Sequence, residues 1–242
     1  MNKRQLLCSS ICLCLANFVF VEATLAKNSG GNACKASTCA VVNVNNGFYD
    51  GTTESECKTI IGSNKDDDIT GTPFDDCIAG NNGNDTIRGG LGADTIYGGN
   101  GNDSLYGEGS GTVCALAGAY AGECDDTIQG NNGKDKIYGE NGDDTLTGGN
   151  GNDKLYGDFT DDITCPESST VPNCDDTLTG GNGKDGLNGG PGNDTLTGGN
   201  AKDSLNGGLG DDDLDGGRSK DRCTGIADDV SGGIANCETT LP

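Results

Sequence analysis

The sequence contains no histidine and no tryptophan, and only one methionine and five prolines among its 242 residues. Without histidine it cannot contain an H-E-x-x-H metalloprotease motif or a Ser-His-Asp triad, and it also lacks the G-x-S-x-G motif of hydrolases. Enzymes that depend on these motifs are therefore excluded. Proline is too scarce, and glycine is not spaced at every third residue, so the chain is not collagen-like.

Apolar and basic residues are also scarce. Hydrophobic residues make up 32% of the chain, and 38 acidic residues outnumber 15 basic ones, which gives a formal net charge of −23. That balance alone is typical of disordered proteins. It excludes nucleic acid and anionic membrane surfaces as partners, because both would be repelled. Cations are the natural partners of such a chain.

Residues 1–26 are predicted to be a secretory signal peptide. Lys3 and Arg4 form a basic start, an apolar run extends from Leu6 to Val21, and small residues suited to cleavage follow. A membrane anchor is the alternative, but the run is short for a spanning helix, so we expect no transmembrane span. Cleavage leaves ten of the 13 cysteines. This even number predicts up to five disulfides and an extracellular, cell-surface or periplasmic location.

A nine-residue repeat fills most of the remaining chain. Three units between Gly80 and Tyr106 read Gly-Asn-Asn-Gly-Asn-Asp-Thr-Ile-Arg, Gly-Gly-Leu-Gly-Ala-Asp-Thr-Ile-Tyr and Gly-Gly-Asn-Gly-Asn-Asp-Ser-Leu-Tyr. Each unit begins with glycine and has Asp in its sixth place and Ile or Leu in its eighth. A period this strict argues against disorder, whatever the composition.

The period divides the rest of the chain into three predicted parts. Residues 27–61 form an N-terminal cap, residues 62–224 hold the repeats, and residues 225–242 form a C-terminal cap. Both caps would cover the apolar ends that a repeat array exposes.

Two gaps of 23 residues, 107–129 and 157–179, interrupt the repeats. We interpret each gap as two partial units around a short excursion, at 116–120 and at 166–170. This gives about 17 units in all and places the excursions after the sixth and eleventh units. If two units make one coil, the excursions should leave from opposite faces.

The cysteines suggest how the gaps and the ends are held. We expect disulfides between Cys114 and Cys124, between Cys165 and Cys174, and between Cys223 and Cys237 in the C-terminal cap. The N-terminal cysteines allow three pairings, of which Cys34 with Cys39 and Cys57 with Cys77 is preferred.

The repeat predicts alternating strands and turns. The last three places are long enough for a three-residue strand whose central aliphatic side chain points inward, and the preceding six form a turn in which glycine provides positive φ. Repetition gives an all-β, right-handed parallel β-solenoid, or β-roll, with neighbouring strands about 4.8 Å apart. Tyr97, Tyr106, Tyr138 and Tyr156 share the ninth place and are expected to point outward, with a sparse contact surface as the alternative.

Coiling stacks the sixth-place aspartates along the edges of the solenoid. Two carboxylates about 5 Å apart repel by roughly 3 kcal/mol at an effective dielectric near 20. One aliphatic side chain per nine residues buries too little apolar surface to carry the fold against this repulsion and the cost of ordering the turns. A hard cation would replace repulsion with coordination. Calcium suits the site because it accepts about six to eight oxygens, including backbone carbonyls, in flexible geometry, whereas magnesium demands a strict octahedron.

The predicted calcium ligands are therefore the sixth-place carboxylates together with carbonyls of the turns. They are Asp67, Asp76, Asp85, Asp94, Asp103, Asp126, Asp135, Asp144, Asp153, Asp176, Asp185, Asp194, Asp203 and Asp212. Asp221 is the weakest candidate, because Ser219 replaces the fourth-place glycine of its unit. A simple turn-forming role for Asp is the alternative. About a dozen divalent ions would neutralise the chain, which agrees with about one ion per repeat.

These repeats resemble the hemolysin-type, repeats-in-toxin (RTX) calcium-binding β-roll, whose unit is G-G-x-G-x-D-x-U-x. The resemblance covers residues 62–224, about two-thirds of the chain. It implies ions held between successive turns by the sixth-place Asp and main-chain carbonyls, and folding triggered by extracellular calcium. The ending from Cys223 to Cys237 resembles caps of some secreted members. Many members lack cysteine and use an uncleaved C-terminal export signal, whereas this chain has an N-terminal signal.

We expect a secreted, calcium-binding, non-catalytic protein with a structural or interaction role. A macromolecular partner at the cell surface or in the extracellular matrix stays open. The alternatives are ice binding or adhesin-type surface recognition on the same roll, and a remnant of an RTX enzyme. Only about 35 residues lie between the signal and the repeats, which leaves no room for an enzyme domain. Ice binding requires a flat threonine array, which the third places do not provide: Asn82, Leu91, Asn100, Asn132, Asn141, Asn150, Asn182 and Pro191.

Overall fold

The computed structural model describes residues 40–45, 47–52, 57–108, 124–158, 174–225 and 234–239. Within these ranges the regular secondary structure consists of β-strands alone. The same part of the chain contains no helix long and apolar enough to cross a membrane. The predicted signal peptide, residues 1–26, and the start of the predicted N-terminal cap lie outside the described residues and stay predictions.

Short strands alternate between two parallel sheets. In chain order they are β1 (Ala40–Asn43), β2 (Phe48–Asp50), β3 (Lys58–Ile61), β4 (Asp68–Thr70), β5 (Cys77–Asn82), β6 (Thr86–Arg88), β7 (Thr95–Asn100), β8 (Ser104–Tyr106), β9 (Thr127–Asn132), β10 (Lys136–Tyr138), β11 (Thr145–Asn150), β12 (Lys154–Tyr156), β13 (Thr177–Asn182), β14 (Gly186–Pro191), β15 (Thr195–Asn200), β16 (Ser204–Leu209), β17 (Asp213–Arg218), β18 (Asp221–Thr224), β19 (Ile234–Ala235) and β20 (Cys237–Thr239). The odd-numbered strands form the first sheet and the even-numbered strands the second, with ten strands in each. The prediction of an all-β parallel solenoid is confirmed.

The core is built from one aliphatic side chain per repeat. In the repeat strands the eighth-place side chain points inward and its neighbours face outward, as the three-residue strand predicts. Each side chain packs against its counterpart on the next coil, about 4.8 Å away. The buried set, at 2% exposure or less, is Ile60, Ile69, Ile78, Ile87, Ile96, Leu105, Ile128, Ile137, Leu146, Leu155, Leu178, Leu187, Leu196, Leu205, Leu214 and Cys223.

From β5 onward, the repeat strands of the first sheet are longer than the predicted three residues. Strand β9 continues past its eighth-place residue and includes the first three places of the next unit. Third-place asparagines support this extension, because each donates its side-chain amide to the side-chain oxygen of the asparagine one coil earlier. Asn132 donates to Asn100 in this way at 2.8 Å. The row runs through Asn64, Asn82, Asn100, Asn132, Asn150, Asn182 and Asn200.

Each 23-residue gap is one repeat unit with an insertion, and the prediction of two partial units was wrong. Gly107 begins the first interrupted unit, and Asp126 fills its sixth place, because the Asp126 carboxylate packs on Gly107 as its counterparts do in uninterrupted units. Accordingly, Asp94 and Asp126 on successive coils are separated by 32 residues, whereas Asp126 and Asp144 are separated by 18. The repeats therefore number fifteen, fewer than the predicted 17.

Both insertions leave from the same edge of the solenoid, so the prediction of opposite faces was also wrong. The first lies between β8 and β9 and the second between β12 and β13, and both connect the second sheet to the first. The insertions interrupt the sixth and the tenth units, which are four units apart. Because two units make one coil, this distance is two whole coils and returns the chain to the same edge. The predicted excursions at 116–120 and 166–170 lie outside the described residues.

Three of the four ninth-place tyrosines form a stacked column on the second sheet. The ring centroids of Tyr106 and Tyr138 are 5.0 Å apart, those of Tyr138 and Tyr156 are 4.9 Å apart, and the Arg88 guanidinium lies 5.6 Å from the Tyr106 centroid. Because the rings cover one another's faces, the column presents ring edges to solvent, which suits stacking better than ligand recognition. Tyr97 belongs to the first sheet, where it lies in register with Ala79 and Gln129 outside the aliphatic column, and it is only 6% exposed.

Strands of the same two sheets continue beyond both ends of the repeats. At the N-terminal end β1 pairs with β3 and β2 with β4. At the C-terminal end β17 pairs with β19 and β18 with β20. The end coils therefore cover the repeat core with further strands.

The predicted disulfide between Cys223 and Cys237 is confirmed and joins β18 to β20. Four more cysteines are disulfide-bonded: Cys57, Cys77, Cys124 and Cys174. Their predicted pairings stay predictions. Cys34, Cys39, Cys114 and Cys165 lie outside the described residues.

Because the core is a single column of aliphatic side chains, truncating one of them should lower the stability of the protein markedly. We expect Ile137→Ala, in the middle of the column, to lower the free energy of unfolding by about 2–5 kcal/mol. The control Thr145→Ala shortens an exposed side chain one strand away and should change it by about 0.5 kcal/mol or less. Chemical denaturation followed by circular dichroism measures both. Equally small effects would show that the column does not hold the sheets together.

Candidate metal centre

The sixth-place aspartates form two rows, one along each edge of the solenoid. We call the edge where turns lead from the second sheet to the first the insertion edge, and the other the plain edge. The insertion edge carries Asp76, Asp94, Asp126, Asp144, Asp176, Asp194 and Asp212. The plain edge carries Asp67, Asp85, Asp103, Asp135, Asp153, Asp185, Asp203 and Asp221. All fifteen are buried, at 1–3% exposure.

In every aspartate of the two rows except Asp67, one carboxylate oxygen accepts a backbone N–H of the neighbouring coil. The backbone N–H of Asp126 donates to Oδ1 of Asp144 at 2.8 Å, and the N–H of Asp144 donates to Oδ1 of Asp176 at 2.8 Å. The plain edge repeats the pattern, with the N–H of Asp135 donating to Oδ1 of Asp153 at 2.9 Å. The sequence placed these residues in rows but did not predict this hydrogen-bond ladder, which fixes one oxygen of each carboxylate from Asp76 onward.

The second oxygen of most of these carboxylates is buried without a hydrogen-bond partner. This is true of Oδ2 in Asp85, Asp94, Asp103, Asp126, Asp135, Asp144, Asp153, Asp176, Asp185, Asp194, Asp203 and Asp221. A buried, charged oxygen with no partner is costly in a folded protein. Asp221, the weakest candidate from sequence, has the same arrangement as the others.

Glycine in the first place leaves room for these oxygens. A Cβ at Gly107 would overlap both Oδ2 of Asp126 and the carbonyl oxygen of Gly139 on the next coil. A Cβ at Gly157 would likewise overlap Oδ2 of Asp176 and the carbonyl of Gly189. Carboxylate and carbonyl oxygens thus converge at each turn, and any larger residue in the first place would displace them.

Asp67 and Asp76, the first two aspartates, differ from these twelve. Oδ2 of Asp67 accepts the backbone N–H of Ser63 at 2.6 Å, and Oδ2 of Asp76 accepts the backbone N–H of Thr72 at 2.5 Å. Both side-chain hydroxyls add a hydrogen bond to Oδ1 of the same carboxylate. The chain itself therefore satisfies Asp67 and Asp76, which makes them the poorest metal ligands of the predicted set.

Burial raises the pKa of the buried carboxyls. Desolvation is the largest cause, repulsion between neighbouring carboxylates adds to it in most cases, and the hydrogen bond to Oδ1 opposes it. The pKa rises to about 6 for Asp85, Asp135 and Asp203, to about 7 for Asp103 and Asp153, and to about 8 for Asp176 and Asp194. The pKa values of Asp94, Asp126 and Asp144 are raised well above the ordinary range.

These features fit a hard cation bound through oxygen. Among the described residues no three His, Cys, Asp or Glu side chains form a metal-binding group. A bound ion would therefore need main-chain carbonyls besides the carboxylates, as the sequence predicted. Calcium accepts such mixed oxygen ligands, and its charge would satisfy the partnerless oxygens.

Sequence reasoning missed three buried acidic residues in second places. Glu108 is 0%, Glu140 8% and Asp158 3% exposed. Desolvation and repulsion from Asp126 raise the pKa of Glu108 to about 10. The signal was present in the sequence as an acidic residue at a place where most units have glycine.

The repeat region matches a known family of protein repeats. A family model described as RTX calcium-binding nonapeptide repeat (4 copies) matches residues 61–96, 79–110, 120–155, 129–163, 175–196 and 188–223. Together these matches cover more than half of the 242 residues and include both rows of aspartates. A comparison with curated proteins finds no matching relative.

The raised pKa values predict how the metal-free protein responds to pH. A carboxyl whose folded pKa lies above its ordinary value of 3.8 stabilises the fold fully below that value, and the contribution is lost as pH rises through the folded pKa. Without metal, the melting temperature should therefore fall as pH rises from 4 to 8, most steeply between about pH 5 and 6, where the folded carboxyls of Asp103, Asp153, Asp176 and Asp194 still hold protons that the unfolded chain has released. The loss should level off near pH 8, where little sheet should remain without metal. Calorimetry of the chelator-treated, dialysed protein measures it.

The same scan with saturating calcium is the control, because a bound ion should remove most of the loss at pH 8. A metal-free melting temperature that is constant or rises over this range would contradict the buried, partnerless state of these carboxyls.

Proposed function

Since this chain belongs to the RTX calcium-binding nonapeptide repeat family, we propose that it is a calcium-binding structural protein whose solenoid forms when calcium is present. The observation that carries the proposal is the set of buried Oδ2 atoms without partners along both edges. The sixth-place carboxylates from Asp85 to Asp221 and the turn carbonyls would hold the ions. Calcium supplies positive charge to a row of carboxylates that otherwise repel.

Three features of the repeat would help to hold an ion. The hydrogen bond to Oδ1 orients the carboxylate, the first-place glycine leaves space beside Oδ2, and the aliphatic column fixes the coil spacing. Asp67 and Asp76 contribute least, because Ser63 and Thr72 already satisfy them. The proposal is therefore about one ion per repeat from the third unit onward, beside carboxylates already positioned by neighbouring coils.

A secreted location supports a calcium-dependent fold. Proteins with RTX repeats are typically extracellular. The described disulfide between Cys223 and Cys237, with the bonded state of Cys57, Cys77, Cys124 and Cys174, agrees with an oxidising compartment. The basic and apolar N-terminal residues 1–26 suit a cleaved export signal.

The role we propose is non-catalytic. An RTX β-roll made of repeats is a non-catalytic type of domain. The buried carboxylates that could be mistaken for acid–base residues are explained by ion binding along a periodic edge. A macromolecular partner at the cell surface or in the extracellular matrix is compatible with this role.

A calcium titration followed by circular dichroism tests the proposal. We expect the chelated protein to gain β-sheet signal as calcium is added, and magnesium at the same concentrations to give little gain. In the double variant D135N/D153N, two neighbouring plain-edge carboxylates lose their charge but keep an oxygen for the ladder. Its calcium midpoint should rise about tenfold, equivalent to about 1.4 kcal/mol.

The matched control is D66N/D68N, which removes two exposed charges beside the same edge and should leave the midpoint within about twofold. A full sheet signal in chelator, or equal shifts in both double variants, would contradict calcium-dependent folding through the sixth-place carboxylates.

A regular threonine array favours ice binding as a second candidate. The third places from Asn64 to Asn200 on the plain edge form an asparagine ladder, but the seventh and ninth places of three adjacent strands in the first sheet are all threonine. They are Thr145 and Thr147, Thr177 and Thr179, and Thr195 and Thr197, in register on the outer face. If this face binds ice, the calcium-loaded protein should show thermal hysteresis that T147Y/T179Y abolishes. No hysteresis in the wild-type protein would exclude this function.

A further inference from the structure

The two edges of the solenoid carry very different charge. On the insertion edge, fifth places hold Asp75, Asp125, Asp143, Asp175 and Asp211 next to the sixth-place row. On the plain edge, fifth places hold four lysines, Lys134, Lys184, Lys202 and Lys220, and a single acid, Asp66, all exposed. A cation approaching the plain edge meets lysines beside the aspartates, whereas the insertion edge presents further carboxylates.

The insertion edge also contains the three buried second-place acids. Glu108, Glu140 and Asp158 belong to three successive turns of this edge, and Glu108 and Asp158 occupy the second places of the two interrupted units. Oε2 of Glu108 accepts the backbone N–H of Asn141 at 3.3 Å, so this carboxylate reaches the turn of the next coil. Gly139, whose carbonyl converges with Oδ2 of Asp126, belongs to that same turn.

The backbone at Glu140 would accept glycine at least as well as glutamate. Glu140 has a φ of 80°, in the left-handed region, where Gly90 stands in an uninterrupted turn with a φ of 126°. Its N–H makes the same contact as that of Gly90, donating to the first-place carbonyl of the next coil. Glutamate in this conformation is strained relative to glycine, and strain of this kind is found where function requires the side chain.

Partnerless oxygens lie in the same three turns. Oδ2 of Asp126, Asp144 and Asp176 is buried without a hydrogen-bond partner, and each residue is 1% exposed. Each oxygen lies beside the first-place glycine that immediately precedes Glu108, Glu140 or Asp158 in sequence. Each of these three turns therefore buries two carboxylates, one in the second place and one in the sixth, whereas the other turns bury only the one in the sixth place.

We propose that Glu108, Glu140 and Asp158 make the three turns around the insertions a separate, tighter class of calcium site. Each site would combine a sixth-place carboxylate, a second-place carboxylate and turn carbonyls, and calcium affinity rises with ligand charge and rigidity. These sites fill before the plain edge, so the middle of the solenoid orders first. The inference rests on the proposed calcium-dependent fold and adds which residues set the order of loading.

Equilibrium dialysis of the full protein against chelator-buffered calcium tests this inference. The wild-type isotherm should show an early phase of about three ions, followed by a broader phase. The isosteric variant E108Q/E140Q/D158N should lose the early phase, with the calcium concentration for these ions rising at least about tenfold. The control D66N/D68N/E238Q removes three exposed charges elsewhere and should keep both phases.

The outcomes separate this inference from the proposed function. If the wild-type protein binds calcium but the isosteric variant binds it identically, or the control loses the early phase equally, the inference is wrong and the proposed function stands. If the wild-type protein binds no calcium, both fail. Should the isosteric variant not form sheet at saturating calcium, E108G/E140G/D158G decides the question by the same criteria, since glycine occupies the second place of most other turns.

Discussion

Repulsion among buried carboxylates is the constraint on which the rest of the structure depends. Fifteen aspartates stand in two rows at the spacing of neighbouring coils, and twelve of them bury an oxygen with no hydrogen-bond partner. The hydrogen bonds to Oδ1 hold each carboxylate in its row but cannot neutralise it. The chain supplies little positive charge to these rows, because the lysines near the plain edge are exposed and, among the described residues, the turns of the insertion edge carry no lysine.

The aliphatic column and the ladders of side chains define the shape that this charge would stabilise. One inward side chain per unit sets the register of both sheets, and the asparagine row adds side-chain hydrogen bonds between neighbouring coils along the first sheet. On the second sheet the tyrosine column joins neighbouring coils by ring stacking. These contacts are repetitive and local to neighbouring coils, so coils should gain and lose order with their neighbours. Binding at one turn thereby favours the next.

Much of this architecture follows from the sequence, because a strict period fixes register. The inward aliphatic place, the burial of all fifteen aspartates and the disulfide between Cys223 and Cys237 agree with the pattern. The pattern could not show that a gap is one interrupted unit, since sequence spacing does not reveal that Asp126 packs on Gly107. It also could not show that Ser63 and Thr72 satisfy two of the carboxylates. The sixth-place pattern also did not predict Glu108, which lies in the second place of its unit, where most units have glycine.

The central claim is that bound calcium supplies the stabilisation that a larger apolar core supplies in other folds. Hydrogen exchange of backbone amides tests it most directly, because the N–H groups of Asp126, Asp135 and Asp144 donate inside the ladders. The account predicts that these amides exchange rapidly in chelator and become protected when calcium is added. Equal protection with and without calcium would contradict it.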